Sequence, residues 1–153
     1  MYDKNNGFHT DLEIMENSRN FQTNYKGKKN IKKGPYLMGE TIGEGAFAKV
    51  KLAIHTQTNE KVAIKIIDKE KTFKEEDDIL RVEKEIEILK KLKHNNIIQL
   101  YEIMESKKNL YIVMEYCEGK ELFEYIVNKK KLNENEACRI FQEIMDALEY
   151  LHE

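Results

Sequence analysis

Polar residues dominate the chain from Met1 to about Gly34, Asn and Lys above all, and the scattered apolar ones keep no period. This stretch reads as a mostly disordered extension, with a short helical segment around Leu12 to Met15. Gly34-Pro35 punctuates the boundary, and from Tyr36 the texture changes. Residues 36–43 and 47–55 alternate as two strands around a glycine-rich turn. Residues 56–60 are a polar turn, and 61–68 form a third strand that is apolar on both faces. Residues 75–93 make a charged amphipathic helix. Residues 97–104 and 109–116 read as a strand pair joined by Glu105-Ser106-Lys107-Lys108. A short helix over 121–129 and a long one over 133–152 complete the order, the latter opened by Asn133 with Glu136 three residues on, which resembles a capping box. Three strands, a helix, two strands and two helices predict an α+β fold on a five-stranded antiparallel sheet.

Composition narrows the function classes. The chain has 153 residues, the length of roughly one domain, and a hydrophobic fraction of 41% suffices for a core. Charged residues make up 35%, yet the net charge is only −2, so no overall basic excess points to nucleic acid. No apolar run approaches the roughly 18–20 residues of a membrane span, and the first residues lack the apolar core of a signal peptide. The two cysteines, Cys117 and Cys138, stand in neither metal-ligand nor paired spacing, which fits reduced thiols in an intracellular, cytoplasmic protein. No nucleic-acid partner, no membrane partner and no metal site within the chain are expected.

Candidate chemistry begins with Ile42-Gly43-Glu44-Gly45-Ala46-Phe47-Ala48-Lys49-Val50. Closely spaced glycines leave backbone N–H groups free to face phosphate. A dinucleotide-binding turn would open a helix. Here Val50, Leu52 and Ile54 alternate with Lys49, Lys51 and Ala53, so a strand follows instead. An ordinary hairpin turn remains the competing reading of the glycines.

Lys65 lies inside the apolar run Val62-Ala63-Ile64-Lys65-Ile66-Ile67, so its ammonium is carried inward and needs an opposite charge. On the helix that follows, Ile79, Val82, Ile86, Leu89 and Leu92 form one apolar stripe at 100° per residue. Glu85 falls within that stripe, whereas Glu83, Lys84, Glu87, Lys90 and Lys91 fall outside it. An inward lysine and an inward glutamate on consecutive elements predict one buried pair.

Taken together, IGEGAFAKV, VAIK, Glu85 and LYIVMEYCEGKELFEYI resemble the start of a eukaryotic protein kinase domain, in order and at the family's spacing. The texture is most similar to the calcium/calmodulin-dependent and AMP-activated kinase group, with GAFAKVKLA and MEYCEGKELF especially similar to the maternal embryonic leucine zipper kinases and their relatives. The resemblance spans about Tyr36 to Glu153. It implies an N-terminal lobe over 35–116 and the hinge with the first two C-terminal-lobe helices over 117–153.

The resemblance also implies roles. Ile42 to Lys49 would cover the phosphates of ATP, Lys65 would contact the α- and β-phosphates, and Glu85 would hold Lys65. Val50, Ala63 and Leu122 would sandwich the adenine, Met114 would be the gatekeeper, Glu115 and Cys117 would present hinge backbone groups, and Glu121 would reach the ribose. Plain core packing competes for Val50, Met114 and Leu122. Ala48 replaces the third glycine of the loop and Lys120 a second glycine common in relatives; neither is expected to abolish binding.

The implied activity is transfer of the ATP γ-phosphate to serine or threonine hydroxyls of a protein substrate. The family's catalytic Asp and Asn, and the Asp-Phe-Gly aspartate that holds Mg²⁺, are not among these residues. His152 reads as a helix-end residue. The chain is accordingly expected to be a fragment or short product, inactive alone. The alternative is a non-catalytic, kinase-like nucleotide-binding or regulatory module. Ala137, Ile140, Phe141, Ile144, Leu148 and Leu151 form an apolar stripe on the last helix, through which self-association is expected.

Overall fold

A computed structural model describes residues 31–46 and 48–152. The short helix read around Leu12 to Met15, and the disorder read for most of the extension, lie outside the described residues. Six strands form one antiparallel sheet: β1 (Lys32–Lys33), β2 (Tyr36–Glu44), β3 (Ala48–His55), β4 (Lys61–Asp68), β5 (Leu100–Glu105) and β6 (Asn109–Glu115). They lie in the order β1-β2-β3-β4-β6-β5. Helices α1 (Lys69–Thr72) and α2 (Glu76–Lys91) separate β4 from β5, and α3 (Leu122–Lys129) and α4 (Glu134–His152) follow the sheet.

The α+β class stands, with one strand more than the sequence predicts. Lys32-Lys33 folds back on Leu37 and Tyr36 through Gly34, whose positive φ of 56° suits glycine. A two-residue strand of lysines carries no alternation by which to recognise it.

The alternating residues of β2 to β6 feed two clusters on opposite faces. One contains Tyr36, Met38, Ala53, Val62, Ile64, Tyr111 and Val113. The other contains Ile67, Leu100, Leu110 and Ile112, and Val82, Ile86 and Leu89 of α2 pack against it. The sheet curls enough that Tyr36 on β2 hydrogen-bonds Glu102 on β5, although three strands separate them in the sheet order. Burial and that carboxylate push the Tyr36 hydroxyl pKa strongly upward. Two register shifts in β2, between Met38 and Thr41 and between Thr41 and Gly43, sharpen the bend beside the glycines.

Local chemistry fixes the ends of the elements. Asp68 accepts from the backbone N–H groups of Glu70 and Lys71 and caps α1, a turn that its Lys-Glu-Lys-Thr sequence does not announce by period. Glu75 and Asp78 form a reciprocal capping box for α2, with acids in its first turn and Lys90 and Lys91 in its last, matching the helix dipole. Asn133 caps α4 by accepting from Glu136 N–H at 2.9 Å. The return arm of a capping box is not made: the Glu136 carboxylate instead takes Lys129 Nζ at 2.6 Å and the Tyr125 hydroxyl, which ties α4 to α3. The strand expected from Ile97 starts at Leu100, because Ile97 N–H closes a turn onto the His94 carbonyl.

Candidate functional site

The sheet register assembles the expected residues. Gly43 pairs with Val50, Val50 with Lys65, and Lys65 with Ile112. Residues opposite one another in a ladder share a face, so Lys65 stands two strands, or roughly 10 Å, from Gly43 on one surface. The next row on that surface is Leu52, Ala63, Met114 and Leu100. Ala63 and Leu52 are buried. Met114 packs against the second cluster, so its core role is real. Leu52 completes the row and was overlooked in the sequence, where it is one more alternating apolar residue.

The hairpin between β2 and β3 is closed by Gly45 N–H donating to the Ala48 carbonyl at 2.8 Å. Glu44 and Lys49, paired across it, form a 2.7 Å ion pair, and that ammonium draws the Glu44 carboxyl below its usual range. The hairpin itself gives little reason for glycine. A Cβ at Gly43 would meet Val50 at 3.6 Å and one at Gly45 would meet the Ala48 carbonyl at 3.7 Å, both ordinary contacts. Neither glycine has a positive φ. Their missing side chains leave room over the backbone. Ile42 and Ala46 are exposed at the rim, and Phe47 lies outside the described residues.

Lys65 Nζ lies 3.3 Å from Glu85 Oε1, joining β4 to α2. The inward turn expected of both residues is only half realised: the Glu85 side chain is 54% exposed and that of Lys65 32%. No residue of α2 is fully buried, and Ile79, expected in the stripe, is 40% exposed. A helical wheel gives the direction of Glu85 but not its depth. The pair is therefore in contact with solvent rather than enclosed between helix and sheet.

At the end of β6, Glu115 is doubly tied to Gln99. Its N–H donates to the Gln99 carbonyl at 2.9 Å, and its carboxylate accepts from Gln99 N–H at 3.2 Å. The Glu115 carbonyl, rather than its N–H, is therefore the group left for a hinge contact. Cys117 follows as an exposed free thiol whose pKa is pushed up by partial burial and by the Glu115 charge. Glu121 and Leu122 stand exposed at the start of α3. Gly119 adopts φ 123° in open space, a conformation that demands glycine in the connection.

A second junction has no signal in the sequence. The Tyr150 hydroxyl of α4 accepts from Lys93 N–H at 2.9 Å, its ring stacks on His94 at 5.1 Å, and Asn96 Nδ2 donates to the Glu143 carbonyl at 2.9 Å. Together these pin the loop after α2 to α4.

The profile of the protein kinase domain matches residues 36–153. The chain belongs to the protein kinase family. Within it, the chain is similar to CBL-interacting serine/threonine-protein kinase 3 of Arabidopsis thaliana, with 48% identity over 119 residues, 78% of this chain and 27% of the relative. It is 44% identical to the SNF1-like protein kinase ssp2 of Schizosaccharomyces pombe over 148 residues, 93% of this chain and 25% of the relative. It is 49% identical to maternal embryonic leucine zipper kinase of Xenopus laevis over 117 residues, 76% of this chain and 18% of the relative. These kinases agree with the AMP-activated and calcium/calmodulin-dependent group read from the motifs. The chain spans about a quarter or less of the length of these relatives. Among the described residues no helix is long and apolar enough to cross a membrane.

Proposed function

We propose that these residues form the ATP-binding portion of an intracellular serine/threonine protein kinase, which in the complete domain moves the ATP γ-phosphate to serine or threonine hydroxyls of a protein substrate. The observation that carries this reading is the Lys65–Glu85 pair, set in one register row with a glycine hairpin whose own geometry does not require glycine. Ile42 to Lys49 are assigned to the polyphosphate because Gly43, Gly45, Ala46 and Ala48 are small and let it approach the backbone. Val50, Leu52, Ala63 and Met114 offer an apolar face to a flat ring, with the Glu115 carbonyl and the Cys117 backbone at its edge. Glu121 and Leu122 join that set if α3 borders the cleft.

ATP supplies the transferable phosphoryl group. Lys65 contributes a fixed positive charge, and Glu85 holds it in place, so the position of α2 tunes the site. Mg²⁺ would be held by the family's Asp-Phe-Gly aspartate and catalytic-loop asparagine, which are not among these 153 residues. By themselves these residues bind nucleotide without transferring phosphate.

The test uses the 153-residue chain with a fluorescent ATP analogue. Saturable binding displaced by ATP, and weakened at least about tenfold in Lys65→Met at unchanged circular dichroism, is the expected result. Equal binding by the two proteins would overturn the assignment. Phosphate transfer above a no-protein control would refute the inactivity of the isolated residues. Self-association through the α4 stripe is read out in the same preparation by sedimentation.

A further inference from the structure

Strands β2 and β3 run out of step. From Met38, opposite Ala53, to Gly43, opposite Val50, β2 takes five residue steps while β3 takes three. The two extra residues enter singly, one between Met38 and Thr41 and one between Thr41 and Gly43. A shift of register by one turns the following side chains to the other face of the sheet. Here that choice falls on Val50. With both insertions Gly43 stands opposite it; with one fewer, Ile42 would. An isoleucine side chain would then enter the row of Val50 and Lys65, where Gly43 leaves room. Glycine-rich strands specify register weakly, so something else must hold it.

Two lysines of β3 bracket the irregular stretch. Lys51 Nζ donates to the Gly39 carbonyl at 3.3 Å, inside the first insertion. Lys49 Nζ pairs with Glu44 at 2.7 Å, just beyond the second. They differ in depth. Lys51 and Gly39 are both partly buried, whereas the Lys49 and Glu44 side chains are 57% and 60% exposed. A charged donor on a carbonyl sheltered from water holds more strongly than a solvated ion pair, so Lys51 is the firmer of the two. In the sheet Lys51 stands between Thr41 and Ile64, one row from Val50 and Lys65, and its side chain takes the opposite face. Ile64 belongs to the cluster away from α2. Lys51 therefore reaches the backbone of β2 and not the face that carries Lys65.

We infer that Lys51 is a positioning residue that pins the register of β2, so that Gly43 rather than Ile42 faces Val50 and a polyphosphate can approach the backbone. The consequence for nucleotide rests on the ATP-binding reading; the register itself does not.

Two measurements on the 153-residue chain keep these apart. Cross-strand nuclear Overhauser contacts read the register: Val50 should meet Gly43 in the parent and, in a fraction of molecules, Ile42 in Lys51→Met. Titration with a fluorescent ATP analogue reads the consequence. Lys51→Met should bind about fivefold more weakly, and Lys51→Arg, which keeps a charged donor, within about twofold of the parent. Adding Ile42→Gly to Lys51→Met should recover binding, because the obstructing side chain is gone, whereas Ile42→Gly alone should bring no gain. A general loss of stability would not be rescued in this way, and circular dichroism should be unchanged throughout. Val50 contacts confined to Gly43 in Lys51→Met overturn the proposal. So does parental binding by Lys51→Met when Lys65→Met is weakened. A register that slips in a chain to which no nucleotide binds would sink the ATP reading and leave Lys51 in its role.

Discussion

Ile64, Ile112 and Val113 are the most deeply buried large side chains, all on the neighbouring strands β4 and β6. In α3 and α4, by contrast, no residue is buried, and Phe123, Phe141 and Leu151 are among the large apolar side chains left exposed. Both regions carry apolar faces in sequence. The difference is that the sheet meets partners on both faces, through its own curl and through α2, whereas the contacts described for α3 and α4, with each other and with the loop after α2, run largely through polar groups. Amphipathicity states that a face needs cover; topology decides whether the described residues supply it.

The comparison can be broken first at its strongest point. Ile64→Ala removes a side chain with no exposure at all and should cost about 2–5 kcal/mol, read by denaturant unfolding. A loss below about 1 kcal/mol would mean that the sheet core is as loose as the helices. The next substitution separates the core from the rim. Lys65→Met removes half of a solvated pair, so its stability cost should stay within about 0–1 kcal/mol, well short of the penalty of a buried pair. Its effect belongs to function: in a version of the protein that carries the catalytic residues, turnover should fall by orders of magnitude. Turnover within twofold of the parent would remove Lys65 from the site.

A smaller effect sharpens the helical side. Lys129 and the Tyr125 hydroxyl hold the Glu136 carboxyl below its usual range, and Lys129 is raised in turn by Glu136 and Tyr125. A depressed carboxyl stabilises the fold above its unfolded value of about 4.3, and that contribution is lost as pH falls through the lower folded value. Amide exchange in the first turn of α4 should therefore rise below about pH 4, and Glu136→Gln should flatten that dependence. The smallest change is expected at Phe141, which is 62% exposed: Phe141→Ser should alter stability by no more than about 0.5 kcal/mol while reducing self-association in sedimentation. A stability loss of several kcal/mol would show that α4 has cover within the chain.

Much of this was legible in the sequence because it rests on short periods. β4 runs over Lys61–Asp68 as its apolar run predicts, and Glu85 was separable from Glu83, Lys84, Glu87, Lys90 and Lys91 because it fell in the apolar stripe and they did not. Depth was not legible. Whether a stripe is covered depends on residues far away in sequence, so the exposure of Glu85 and Ile79 escaped the helical wheel. Elements without a period were lost too: β1 is two lysines, and α1 exists through the Asp68 cap. Tyr150 offered no signal, since its partners Lys93 and His94 lie more than fifty residues earlier.

Besides the packing of Val82, Ile86 and Leu89 on the sheet, the Tyr150 junction gives α2 a second polar attachment, of a different physical kind from the first. Toward its middle the helix is held to the sheet by a solvent-facing ion pair, whose strength depends on ionic surroundings. Just past its end it is held to α4 by a neutral hydroxyl, a stacked ring and an amide, to which salt is nearly indifferent. α4 thus fixes the loop just past the end of α2, and through it bears on where the helix presents Glu85 to Lys65.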